Sequence, residues 1–432
     1  MTERLLTGQT LSFNADPFRV PFAEAAQIER QGAVLIRDGK IAATGRAEAL
    51  RAQFPQAEVT DYGNQLISPG FVDAHAHYPQ TGIIASWGLR LIDWLNTYTF
   101  PEEARFGDPA YATEIAERWL DLILASGTST AASFCTIHPE SVEALFTAAT
   151  QRGMRMVAGK TCMDRDTTPT NLRDTAQSAY DDSARLIADW HGKGRITYAI
   201  TPRFSPTSTE AQLEALGALW QDNPTCLMQT HLSEQLDEID WVQSLYPQAR
   251  DYLDTYERHG LIGPGALFGH AIHLTEREKA RLAEADASLI HCPTSNTFIG
   301  SGLFDMRLTG TCRVGLATDT GGGSSFSMLR SMASAYEVAQ LRGQALHPAQ
   351  LWWLATAGSA RALRLDDKIG ALTPGHEADL VVIDLNSTAA IEQRARRAED
   401  SWELLFPTIM MGDDRAVAAT YVAGELRHKR AQ

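Results

Sequence analysis

No segment of this chain is long and apolar enough to cross a bilayer, which takes about eighteen consecutive apolar residues. Nor does an apolar stretch follow a basic start at the amino terminus, so no secretory leader is expected. Cysteine is scarce: Cys135, Cys162, Cys226, Cys292 and Cys312 are odd in number, widely spread and form no C-x-x-C. That argues against a disulfide framework and for a reduced compartment, with the cytoplasm as the expectation. Basic excess is also missing. Lys and Arg number 38 against 53 Asp and Glu, a net charge of −15, and such a surface repels nucleic acid and anionic membrane. No G-x-G-x-x-G follows the first apolar run of the central region, which weakens the case for an open dinucleotide-binding sheet.

What the chain does have is a full core and a repeating texture. Hydrophobic residues make up 44% and charged residues 21% of 432, the balance of a soluble globular protein with one large and one smaller domain. Short strand and turn signals fill both ends. Ala33–Ile36, the Asp38-Gly39 hairpin signal and Lys40–Thr44 lie at one end. Lys368–Leu372, the Pro374-Gly375 turn, Ala378–Asp384 and Val417–Gly424 lie at the other. In between, strand-like runs end near His75, Phe134, Thr161, Thr201, His231, His270, His291 and Asp319, with helical stretches separating most of them. One helix is expected to start at the capping box Thr275-Glu276-Arg277-Glu278, turning Leu274, Ala280 and Leu282 to one side. A second, from Thr209 through Gln212 to Trp220, has the same kind of start. Eight strands alternating with helices predict a (β/α)8 TIM-type barrel, an α/β fold, over 66–367. A smaller β-sandwich domain is then built from 1–65 and 368–432.

In such a barrel the chemistry sits at the strand carboxyl ends, and the polar residues collect there. His75 and His77 are two apart on an extended strand, so both imidazoles project to one side. His231 and Asp319 end two later strands, and these four are the candidate metal ligands. Asp319 precedes Gly321-Gly322-Gly323 and would otherwise read as a turn residue. Those glycines lack a following Lys-Ser/Thr, so they are not a phosphate loop. A divalent cation lowers the pKa of water towards about 7, and Asp319 with His270, as a neutral imidazole, would orient the nucleophile. Glu234, three residues beyond His231, reads either as a helix-capping acid or as the proton carrier that hydrolysis requires; the second reading is preferred.

Other residues compete and are set aside. His273 is a weaker alternative to His270, and His291 reads as a structural residue of the rim. His138-Pro139-Glu140 mimics the opening of a nucleobase-deaminase signature whose P-C-x-x-C is missing. Lys160 ends the third strand, whereas a metal-bridging carbamylated lysine belongs to the fourth, so a rim salt bridge is expected. Trp87 and Trp94 read either as a cover over the site or as helix core.

Along nearly its whole length the chain resembles the amidohydrolase superfamily. The landmarks are Pro69–His77, the His231 and Asp319 segments and the closing Gly370–Leu380. Within it, His77–Gln80, Asp93–Pro101, Gly159–Asp164, Thr201–Ser205 and His291–Asn296 resemble the guanine deaminase family. That resemblance implies one zinc ion per chain on His75, His77, His231 and Asp319. It implies substrate contacts from Gln80, Arg203 and Phe204, beside His231 and Glu234, with Glu234, His270 and Asp319 catalytic. It implies hydrolysis of guanine to xanthine and ammonia in purine catabolism, by a homodimer. The competing readings are deamination of another aminopurine or pterin, such as 8-oxoguanine, hydrolysis of a cyclic amide, or a metal-free scaffold, which would not need to keep every ligand.

Overall fold

The computed structural model describes residues 3–87 and 90–431. The amino-terminal part supplies β1 (Arg4–Phe13), β2 (Ala26–Arg37), β3 (Lys40–Arg46) and β4 (Glu58–Pro69). Asp38 and Gly39 both take positive φ, 50° and 75°, which closes the β2–β3 hairpin as the Asp-Gly pair predicts. The barrel follows as β5 (Phe71–His77), β6 (Thr128–Phe134), β7 (Arg155–Gly159), β8 (Thr161–Cys162), β9 (Ile196–Pro202), β10 (Leu227–Leu232), β11 (Ala266–His270), β12 (Ser288–His291) and β13 (Arg313–Leu316). Last come β14 (Leu380–Ile383), β15 (Val417–Val422) and β16 (Glu425–Lys429). The polar run Glu425–Lys429 carries no apolar pattern, and it is a strand only because a tight turn at Ala423-Gly424 folds it back onto β15.

The smaller domain is one seven-stranded mixed sheet in the order β16-β15-β14-β4-β1-β2-β3. Alternate residues face opposite sides. Leu6, Val34, Ile36 and Ile41 therefore share an apolar cluster with Leu380, Val382, Ala419 and Tyr421 from the far half, while Leu5, Ala33 and Leu35 pack under Leu50 and Ala57. The sheet thus curls until its two halves cover each other in the manner of a sandwich.

In the barrel the strands run parallel in the order β5-β6-β7-β9-β10-β11-β12-β13, with the two-residue β8 pairing beside β9. All seven residues of β5 and all seven of β6 are buried, as expected of strands covered on both faces. Val72, Ala132, Val157, Ala199, Leu227, Leu267 and Ile290 fill the interior, and Ala360, Ala362, Leu363 and Ile369 plug its lower end. The ring closes between the last strand and the first without a regular ladder. The strand expected to reach Asp319 stops at Leu316; Ala317 N–H still donates to the His291 carbonyl (2.9 Å), but Thr318 N–H turns to Asp73 Oδ1 (2.9 Å) and Asp319 N–H to the His75 carbonyl (2.9 Å) on β5. That seam fixes Asp319 against the histidine strand.

Helices form largely where the patterns put them. Thr275 caps Glu276–Glu284 with the full reciprocal box. Its buried side differs from expectation: Leu274, Glu278 and Leu282 turn inward and Ala280 is exposed, because the Glu278 carboxylate is drawn in to accept the Leu253 and Thr275 N–H groups. The helix Glu210–Asp222 has half a box. Thr209 accepts the Gln212 N–H, but the Gln212 amide is diverted to Asp174 and Asp164 takes the Thr209 N–H.

Candidate active site

Above the carboxyl ends of the barrel strands lies a small pocket, with an empty volume of about 410 Å³ that includes its opening to solvent. Its floor is the predicted cluster. His75 Nε2 and His77 Nε2 each lie 3.5 Å from Asp319 Oδ1, and His77 Nε2 lies 3.1 Å from His231 Nε2. His231 Nδ1–H donates to the Arg203 carbonyl (2.7 Å), so its Nε2 lone pair faces the centre. Burial, reinforced for His231 by the neighbouring imidazoles and opposed for His77 by the Asp319 charge, holds both rings well below the usual histidine range. His75 Nε2 is buried and has no hydrogen-bond partner. Imidazole nitrogens crowded around a carboxylate oxygen, one of them buried with no partner, are a cation-binding donor set. Ligands about 2.1 Å from a tetrahedral ion lie about 3.4 Å apart, close to the spacings just given, so the residues fit a divalent metal.

The backbone is bent to this purpose. Ser233, His270, Ala271 and Asp319, all at strand ends on the rim, adopt positive φ between 49° and 65°. Each such non-glycine residue costs on the order of 1 kcal/mol, and such strain gathers at functional sites. His270 Nδ1–H donates to Asn296 Oδ1 (2.8 Å), which aims Nε2 at Glu234 Oε2 (3.5 Å) and Asp319 Oδ2 (3.8 Å). Burial disfavours its charged form, but Glu234, Asp319 and the Asn296 bond outweigh burial and raise its pKa, where the sequence reading expects a neutral ring.

Glu234 does not cap the following helix. Gln235 is the cap of Leu236–Leu245, and Glu238 closes the box. Glu238 accepts the N–H groups of Glu234 (2.9 Å) and Gln235 (3.1 Å) and the Tyr252 hydroxyl (2.7 Å), which pins the loop. The Glu234 carboxylate is thereby free to enter the pocket, where Oε1 accepts from Ser301 Oγ (2.7 Å).

On the other side, Arg203 and Gln80 line the pocket with the candidate metal-ligand cluster, and both bind the fully buried Glu103. Arg203 Nη1 donates to Oε2 (2.6 Å) and Gln80 Nε2 to Oε1 (2.9 Å). Phe204, Leu91, Trp94, Leu95 and Ile299 supply apolar walls. The two tryptophans part company: Trp94 is buried over the site, whereas Trp87 is 83% exposed. The intervening tract of the suggested cover includes residues 88 and 89, which lie outside the described residues.

Residues set aside from the sequence do lie elsewhere. Lys160 Nζ pairs with Asp174 (2.5 Å), and His273 Nε2–H donates to the Ser301 carbonyl (2.8 Å). His291 stacks on Phe304, 4.6 Å between centroids, and burial pushes it down to about 3. His138 stands at the N-terminal flank of the helix Pro139–Arg152, without a capping bond from its side chain. Cys292 comes within reach of His75, His270 and Asp319, but burial pushes its thiol well up and it lies with the barrel interior. Sequence reasoning missed Glu103, Glu238 and Ser301. Glu103 and Ser301 carry no motif, since their partners are remote in the chain, whereas the Gln235/Glu238 box was a local signal that could have found Glu238. Asn296 stood in a family-like stretch without a role.

Residues 66–427 match the Amidohydrolase family, and residues 32–57 match the imidazolonepropionase-like composite domain of bacteria. A guanine deaminase of Escherichia coli (strain K12) is 44% identical over 411 residues, covering 94% of this chain and 93% of the relative. The solved E. coli guanine deaminase superposes with a TM-score of 0.96 at 42% identity, covering 99% and 100% of the two chains. A guanine deaminase from C. acetobutylicum, solved with guanine bound in its active site, superposes with a TM-score of 0.89 at 28% identity, covering 98% and 100%.

Proposed function

The chain belongs to the amidohydrolase family of hydrolases, and from that premise we propose that it deaminates guanine, converting guanine and water to xanthine and ammonia. The observation that carries the substrate is that Arg203 and Gln80 line one apolar-walled pocket with His77, His231 and Asp319. Guanine is planar and presents a carbonyl at C6 and an amine at C2. Arg203 donates to the carbonyl oxygen, Gln80 pairs with an adjacent ring nitrogen, and Phe204 packs on the ring. Adenine has no carbonyl for Arg203, which would stay without a ligand acceptor.

One zinc ion per chain, held by His75, His77, His231 and Asp319, would lower the pKa of water towards about 7 and so make a nucleophile available near neutrality. The chain's own residues do the rest. The Arg203–Gln80 edge sets the ring so that C2 lies over the cluster. Glu234 Oε2 takes a proton from the attacking water and gives it to ring N3. A C2–O bond forms as N3 gains its proton. Glu234 then carries the second water proton to the exocyclic nitrogen, the C2–N bond breaks and ammonia leaves. His270, held by Asn296, keeps the region between Glu234 and Asp319 polar. The apolar lid of Leu91, Trp94 and Leu95 excludes bulk water. The proposal extends, on the family resemblance, to a cytoplasmic homodimer, and five free, buried cysteines suit a reduced compartment.

The test is ammonia release by protein of measured metal content from guanine, 8-oxoguanine, adenine, cytosine and a pterin. Guanine should react fastest, chelation should abolish the reaction, and added zinc should restore it. Release from another ring but none from guanine would refute the substrate.

A further inference from the structure

The recognition side of the pocket rests on a residue with no part in the proposed chemistry. Glu103 ends the short helix Phe100–Glu103 and is 0% exposed. It binds Arg203 through one carboxylate oxygen and Gln80 through the other, while the Arg203 guanidinium lies 5.5 Å from the centre of the Phe100 ring on the same helix. We infer that Glu103 is a positioning residue for substrate recognition, which fixes the donor–acceptor order of the pocket edge and cancels the arginine charge, so that a neutral lactam is favoured over an anion. The inference deepens the guanine reading and rests on it.

Two pieces of chemistry carry it. A carboxylate accepts hydrogen bonds and an amide does both. Facing Glu103, Gln80 has to present its nitrogen, which leaves Oε1 as the group offered elsewhere. Room for that oxygen exists because residue 321 is glycine: a Cβ there would sit 2.0 Å from Gln80 Oε1. Arg203 uses one N–H on Glu103 and keeps others for a ligand in the pocket it lines. The edge therefore reads donor then acceptor, the complement of a ring carbonyl beside a ring N–H.

The second piece is charge. A lone guanidinium in a water-poor pocket would favour an anionic ligand. Guanine is neutral, whereas its deamination product is a weak acid that ionises near neutrality. With Glu103 paired to it, Arg203 still donates hydrogen bonds but offers no net charge to hold the product anion.

The experiment compares zinc-loaded wild type with Glu103→Gln and Glu103→Asp. It measures metal content, guanine kinetics and inhibition by two purines: hypoxanthine, a neutral lactam, and xanthine at a pH where it is the monoanion. For Glu103→Gln we expect unchanged metal content, a guanine KM raised about 10²-fold with kcat within about threefold, and hypoxanthine weakened by a similar factor. Xanthine anion should instead bind about tenfold tighter. Glu103→Asp, which keeps the charge, should keep the wild-type preference for the neutral inhibitor even as KM rises. A merely structural carboxylate would shift both inhibitors the same way, and that result, or no shift in either, overturns the inference. Should Glu103→Gln not fold, Glu103→Gln/Arg203→Gln removes the uncompensated charge. Its loss should match that of Arg203→Gln alone, and a further loss beyond that of Arg203→Gln would overturn the proposal. Wild type inactive on guanine brings down the substrate reading and this inference with it, whereas active wild type with an indifferent Glu103→Gln removes only the latter.

Discussion

At the scale of single residues the site is a set of side chains each aimed by another. His231 is turned by the Arg203 carbonyl, His270 by Asn296 and Glu234 by Ser301. Such partners fix which nitrogen or oxygen faces the substrate, and so which proton can move. Glu234 is the residue in this set whose removal should separate binding from turnover. Replacing it with glutamine keeps the volume and the Ser301 contact but ends its capacity to carry a proton. Glu234→Gln should hold its metal at the wild-type level and lose about 10²- to 10⁴-fold in kcat. Metal analysis beside an ammonia assay reads both, and near-normal turnover would take Glu234 out of the mechanism.

At the scale of elements, rim and scaffold are built differently. Residues 90–108, ahead of the helix Pro109–Ala125, form a chain of short helical turns, with a π-helical turn at Leu95–Thr99 leading into Pro101. Pro101 lacks an N–H for the regular ladder, and wide turns of this kind recur at functional sites. This segment delivers Leu91, Trp94 and Leu95 to the pocket and Glu103 to Arg203. The outer helices by contrast are held by ordinary local rules. Thr275→Ala removes the cap of Glu276–Glu284 on the outside of the barrel, and should lower stability by about 1 kcal/mol. A modest fall in melting temperature with unchanged guanine kinetics is the expected result, and altered kinetics would show that this helix is coupled to the site.

At the scale of the whole molecule, a charged clamp joins the underside of the barrel to the sheet domain. Glu377 takes Arg195 (2.5 Å) and Arg155 (2.5 Å), and Arg195 also holds Asp379 (2.6 Å). Burial works to raise the Glu377 carboxyl, but the two arginines outweigh it and hold it below the ordinary value of 4.5. A carboxylate depressed in this way contributes fully above that value, and its contribution fades as pH falls through the lowered one. Glu377→Gln should therefore cost about 1–2 kcal/mol near neutrality, with the gap to wild type closing below about pH 4. Melting temperatures across that range test it, and a gap that does not change with pH would mean that packing rather than charge holds the clamp. Much of this molecule was legible in the linear chain because its signals are local. The Asp38-Gly39 turn needs two residues of special φ, Thr275 and Glu278 cap each other three apart, and His75 and His77 share a strand face. Alternating runs of strand and helix gave the barrel, and a barrel assigns its chemistry to one end. The early end of β13 and the inward turn of Glu278 were not legible, since each depends on a neighbour far along the chain, and β16 was not because its residues carry no apolar pattern. The same holds for the site: sequence determined which groups stand at the rim, but only the closed ring set Asp319 against His75 and brought Glu103 to Arg203 a hundred positions away, because contacts made by folding across the barrel leave no periodicity to read.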